Sequence, residues 1–258
     1  MEEKEVQLLP EAENLNQQSE QLLAESKNIC IIPSKDTEAI SSAFALFYTL
    51  KELGKNVNLI IEDVPETLKF LSPSLDFISY PKNFVISIPT KITEISQIYY
   101  EKNNEALKIF LTLENGSIKK DDISFYFSET KPDLIITIGI KDYSKELTDR
   151  LNSFAFLLDS PILNIDSTDQ NIDISQIPPE TANKKFGKIN LIKNKSISEI
   201  TMSLSKNINT NSAKCFLTGL VIYTDNFKNN ITADIFETAS ALMKKGADLK
   251  EITKSLLK

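Results

Sequence analysis

Apolar residues along the 258-residue chain fall into short unbroken runs, and most of the stretches between them follow a helical period. The runs are NICIIP (28–33), VNLII (57–61), DLIITIGI (133–140), PILNID (161–166) and KINLI (188–192). An unbroken apolar run predicts a strand covered on both faces, the pattern of a parallel sheet. Between the first two runs, Ala39, Ile40, Ala43, Phe44 and Phe47 share one face of a helix over 36–54, and Gly54 supplies its stop. Strand, helix and parallel strand make a right-handed βαβ unit. A further helix is expected over 144–157. From 196 the chain reads as helical over 196–206, 211–222, 232–245 and 248–257.

Three segments depart from this pattern. Residues 1–27 carry only a thin stripe of Leu15, Leu22 and Leu23, which predicts a polar, loosely attached N-terminal helix or extension ahead of an α/β domain over 28–258. Over 83–128, four β-rich stretches (84–88, 95–101, 106–113, 123–127) with turn clusters at 102–105 and 114–117 predict an antiparallel β-meander insertion. Residues 167–185, with Pro178–Pro179, have no apolar period and read as a long polar loop. The expected fold is α/β. It is an open, mostly parallel, Rossmann-like sheet flanked by helices, with the meander inserted and a helical C-terminal part.

Composition narrows the chemistry. There is no histidine, which excludes Ser-His-Asp and Cys-His catalysis, an imidazole base and any imidazole metal ligand. Against 29 Lys and Arg stand 36 Asp and Glu, a net charge of −7. That balance argues against a generally cationic nucleic-acid-coating surface and leaves a local lysine patch, KKFGKINLIKNK (184–195), as the candidate for nucleotide contact. The two cysteines, Cys30 and Cys215, sit in apolar runs and read as buried thiols. An acidic N-terminus without an apolar core, and no run long enough to span a bilayer, predict a cytoplasmic protein with no membrane partner.

Ligands of parallel sheets bind at the carboxyl ends of strands. Asp36, Glu38, Asp142 and Asp166 fall at such ends, and carboxylates gathered there can hold a hard cation such as Mg²⁺ or Mn²⁺. Asp36 is equally placed to cap the helix that follows it.

Four segments carry a resemblance. DTEAISSAFAL (36–46) is similar to D-G-D-A-x-G-S-A-x-A-L, DLIITIGIKD (133–142) to a strand ending in Asp, ILNIDSTDQN (162–171) with FGKINL (186–191) to I-D-H-H-x-x-N-x-x-F-G-x-x-N, and LTGLVIYTDNF (217–227) to L-T-G-I-x-x-D-T-G-x-F. In that order they resemble the DHH phosphoesterase family of RecJ-type exonucleases, nano-RNases, cyclic-dinucleotide phosphodiesterases and pyrophosphatases, over about residues 28–258. The resemblance implies two Mn²⁺ ions held by Asp and His. Its first motif aligns a histidine with Ile32 and carboxylates with Asp36 and Glu38. Its second aligns an aspartate with Gly139, with Asp142 a displaced alternative. Its third keeps Asp166 and Asn171 but puts Ser167 and Thr168 where the histidines stand. Its fourth aligns an aspartate with Tyr223, with Asp225 displaced.

The resemblance therefore implies a vestigial site. Asp36, Glu38 and Asp166 remain as a weak metal set, and the family's C-terminal substrate lobe, with its Gly-rich motif, is not seen. The leading expectation is a catalytically degenerate domain that serves as an interaction or regulatory module, needs no cofactor, and has a protein or a second copy of itself as partner. The alternative is an active or weakly active Mn²⁺- or Mg²⁺-dependent phosphoesterase acting on nucleotides or short oligonucleotides. A third is nucleotide or nucleic-acid binding without hydrolysis.

Overall fold

Five of the apolar runs are strands of one parallel sheet, ordered β2-β1-β7-β8-β9. The strands are β1 (Asn28–Pro33), β2 (Asn56–Leu59), β7 (Leu134–Ile138), β8 (Ile162–Ser167) and β9 (Ile189–Lys193). The computed structural model describes residues 5–61, 63–73, 82–129, 132–141, 146, 160–168 and 186–257. The expected helix over 144–157 and all but the first two residues of the 167–185 loop lie outside the described residues, as do Asp142 and Asn171. The chain divides into two compact units, Met1–Tyr80 with Lys131–Lys258, and Pro81–Thr130.

In the larger unit, alternation along the central strands sends Ile29, Ile31, Leu134, Ile136 and Ile138 into one core cluster, and Cys30, Ile32 and Ile135 into another. The first cluster is closed by α1 (Glu5–Glu25), α2 (Thr37–Glu52) and α3 (Ile197–Ser203). A second layer, α4 (Thr210–Tyr223), α5 (Ala233–Lys244) and α6 (Leu249–Leu256), packs behind α2 through Phe44, Phe216, Leu220 and Leu242.

Helix α2 lies between the sheet and α4, so every residue from Glu38 to Phe47 is buried. A helix covered all round has no wet face, and its small polar side chains must find partners inside. Ser41 Oγ donates to the Cys215 carbonyl at 2.7 Å, and Ser42 Oγ shares a hydrogen bond with Ser198 Oγ at 2.9 Å. Gly219 lets α4 come this close: a Cβ there would lie 1.9 Å from Ser198 Oγ. Cys30 and Cys215 are buried and not joined in a disulfide, and burial pushes the Cys215 thiol well above its ordinary value.

The sequence suggested a loosely attached N-terminal helix, but α1 is packed. Leu23 is 5% exposed within the main core, with Leu15 and Leu22 packed against it, and Lys193 Nζ donates to Asn16 Oδ1 at 2.8 Å. The stripe is thin because it needs to cover only one edge of the sheet core.

The smaller unit is antiparallel as expected, with nested rather than consecutive pairing. Strand β3 (Lys82–Ser87) pairs with β6 (Ser124–Glu129), and the hairpin β4 (Thr93–Lys102)–β5 (Leu107–Gly116) forms a separate two-stranded ribbon.

Candidate functional site

A cleft of about 350 Å³ opens at the carboxyl ends of β1, β7 and β8. The topology brings five of the candidate positions into its lining: Asp36, Glu38, Gly139, Asp166 and Ser167. Three others are not in it. Ile32, fully buried, packs with Cys30, Ile135 and Ile140, so an apolar cluster occupies that position. Thr168 is buried beside the end of β8. Its N–H donates to the Lys193 carbonyl at 3.0 Å, and its hydroxyl has no hydrogen-bond partner among the described residues. Tyr223 ends α4, and its carbonyl accepts from Asn230 Nδ2 at 3.1 Å.

Each carboxylate in the cleft makes a local bond. Asp36 is the N-cap of α2: its Oδ1 accepts from the backbone N–H of Glu38 at 2.9 Å and of Ala39 at 3.2 Å. Glu38 is 7% exposed, and its Oε1 accepts from the Ser198 N–H at 3.1 Å, bridging α2 to the first turn of α3. Burial is the main force on its acidity. Desolvation, with the nearby charges of Asp36 and Glu199 assisting and the N–H groups of Ser198 and Ile197 opposing, pushes its carboxyl up to about 8. Asp166 is fully buried at the end of β8, where its Oδ1 accepts from the Ser167 N–H at 2.8 Å.

Gly139 follows β7 with φ +69°, a conformation that side-chain-bearing residues rarely adopt. A Cβ there would stand 3.0 Å from both Ala39 Cβ and Ser34 Oγ. After Tyr223 the chain runs through three consecutive left-handed residues, Asp225, Asn226 and Phe227, at φ 47°, 59° and 58°. The Thr224 hydroxyl accepts from the Phe227 N–H at 3.0 Å, and Phe227 stacks on Phe236. Asp225 lines a different cavity, beside Thr37 and Leu256.

Sequence reasoning missed Ser34, Lys35, Lys141 and Glu146, which also line the cleft. Ser34, Lys35 and Lys141 directly follow apolar runs, the one signal that could have found them. The lysine stretch 184–195 is partly engaged elsewhere: Lys193 holds Asn16, and Lys195 pairs with Asp234 at 3.7 Å. Among the described residues, no three of Asp, Glu or Cys converge closely enough to hold a metal ion together. Nor is any described helix long and apolar enough to cross a membrane.

No protein-family model and no curated protein matches this sequence. Among solved structures, an exopolyphosphatase-related protein from Bacteroides fragilis superposes on 95% of this chain with a TM-score of 0.61 and 18% identity. The chain spans 60% of that protein's length. The exonuclease RecJ bound to manganese aligns over 90% of this chain and 46% of its own at 12% identity, with a TM-score of 0.37. The fold is thus that of the exopolyphosphatase-related protein.

Proposed function

We propose that this chain is a DHH-type phosphoesterase-like domain whose hydrolytic centre has been dismantled, and that it acts in the cytoplasm as an interaction or regulatory module. The observation that carries this reading is the make-up of the cleft, where Gly139 and Ser167 stand beside Asp36, Glu38 and Asp166. The Oε1 of Glu38 is already held by the Ser198 N–H. Asp36 Oδ1 is committed to two backbone N–H groups. Gly139, Ser167 and Thr168 stand where the resembled family has anionic or imidazole ligands.

The donors among the described residues do not fit a two-metal centre, which needs several ligands at each ion. The likeness in fold to an exopolyphosphatase-related protein supports descent from a phosphoesterase scaffold.

The test is hydrolysis by the purified chain with Mn²⁺, using short oligoribonucleotides, cyclic dinucleotides and polyphosphate. No turnover above a no-protein control is expected. Turnover that Asp36→Ala abolishes would overturn the proposal. The competing reading, a residual phosphoesterase with one Mn²⁺ or Mg²⁺, has in its favour that Asp36, Glu38 and Asp166 share one cleft. Calorimetric titration with Mn²⁺ separates the two: saturable binding lost in Asp166→Asn would favour the enzyme.

A further inference from the structure

The β4–β5 ribbon keeps an apolar face open to solvent. Its register sets Ile98 opposite Leu111, Tyr100 opposite Ile109 and Lys102 opposite Leu107. Because side chains alternate across a strand, Ile98, Tyr100, Leu107 and Ile109 lie on one face. A register shift at Ser96 puts Ile95 opposite Leu113 and so keeps it in phase with that face. The four side chains are 69%, 72%, 58% and 48% exposed, respectively. On the other face Tyr99, 51% exposed, stacks on Phe110 with centroids 4.7 Å apart, and a charged pair, Glu101 opposite Lys108, follows it.

A two-stranded ribbon is marginal in water by itself and gains from any layer that covers an apolar side. The charge on the segment restricts what that layer is. Residues 93–116 carry Glu94, Glu101, Glu105 and Glu114 against Lys102 and Lys108. That excess of negative charge disfavours nucleic acid and anionic lipid as the cover, and it sets a weaker, salt-screened repulsion against a second copy.

The patch itself has no charge at its centre, so an identical patch can meet it without burying an unpaired ion. The exposed parts of the four side chains come to on the order of 500 Å² per ribbon, and two ribbons face to face would bury on the order of 1,000 Å², the lower end for a specific interface. We propose that a second copy of this chain covers this face. The two ribbons pack face to face about a twofold axis, with Lys102 at the rim, in a concentration-dependent homodimer. Such an interface is isologous: the same residues serve both sides, so the assembly closes at two copies.

Sedimentation velocity of the full chain, from micromolar to submillimolar concentration, tests this. The mass is expected to rise from monomer to dimer. Ile98→Glu and Tyr100→Glu should each weaken association about tenfold or more, with unchanged far-UV circular dichroism. As a second readout, Ile109→Cys should oxidise to a covalent dimer, while the native Cys30 and Cys215, both buried, should not. A chain that stays monomeric throughout overturns the proposal, and so does a dimer indifferent to both substitutions. Binding of the monomer to neutral lipid vesicles through this face would assign the patch to a membrane instead and equally refute it.

Discussion

Glu38→Gln isolates the buried carboxyl from everything else in the cleft. Gln keeps the size of the side chain and an oxygen for the Ser198 N–H, and it has no proton to lose. In the folded chain Glu38 titrates at about 8, whereas an unfolded glutamate titrates near 4.5. The folded state therefore holds the proton more tightly. Below the lower value both states are protonated, and the group's contribution to stability is fully present. As pH rises from there, the unfolded chain ionises first and stability is lost until the folded group also ionises. Each pH unit in this window is worth about 1.4 kcal/mol, so the wild-type chain should lose on the order of 4–5 kcal/mol across it. With Glu38 only 7% exposed, solvent screening takes little from that figure.

Gln removes this dependence. Its extra N–H group shifts the whole curve by a constant, so the diagnostic quantity is the slope. Urea unfolding of both proteins at about pH 5, 6.5 and 8 measures it. The difference in unfolding free energy should move steadily in favour of the variant as pH rises. Parallel profiles would refute the reasoning. They would mean that Glu38 is ionised in the folded state near neutral pH.

Gly219→Ala should destabilise the fold by about 1–3 kcal/mol despite the better helix propensity of Ala, because the new Cβ would collide with Ser198 Oγ and break its bond to Ser42. Thermal unfolding reads the loss, and Ser198→Ala in the same chain should recover part of it. Asn190→Ala removes the bonds that Asn190 makes with the N–H and carbonyl of Gly187 at 3.0 and 2.8 Å and with Asn164 Nδ2 at 3.3 Å. A cost of about 2–3 kcal/mol and lost exchange protection at the Gly187 amide are expected. Gly139→Asp, which supplies the carboxylate of the resembled second motif, should cost about 2 kcal/mol or more at its φ of +69° and yield no saturable Mn²⁺ binding by calorimetry.

The parallel sheet was legible because strands buried on both faces leave unbroken apolar runs, and the helix over 36–54 because its apolar positions keep a 3.6 period. Pairing in the smaller unit was not legible. Alternating residues identify strands, but nothing in 84–88 or 123–127 says that they skip the hairpin between them to find each other. In the site, Asp36 and Glu38 could be placed at a strand end by counting. The partner that Glu38 bonds could not, since Ser198 lies 160 residues further along the chain. Nor does any local pattern show that Glu38 is buried, because α2 is covered all round and polar positions lie among its buried residues.

Both carboxylates have a structural task, Glu38 as a buried side chain and Asp36 as an exposed one. The first turn of any helix leaves backbone N–H groups without intrahelical partners. Asp36 supplies partners in α2 by accepting from Glu38 and Ala39. Ser198 sits in the first turn of α3, where Ser196 caps Glu199, and Glu38 accepts the Ser198 N–H that this cap leaves over. Removing Glu38 strands the buried Ser198 N–H, at about 1–3 kcal/mol, and removing the exposed cap Asp36 costs about 1 kcal/mol. The two acidic positions are therefore held by the fold whether or not an ion ever binds. The cap that Asp36 makes on α2 and the bond of Glu38 to Ser198 account for both side chains with no ion present.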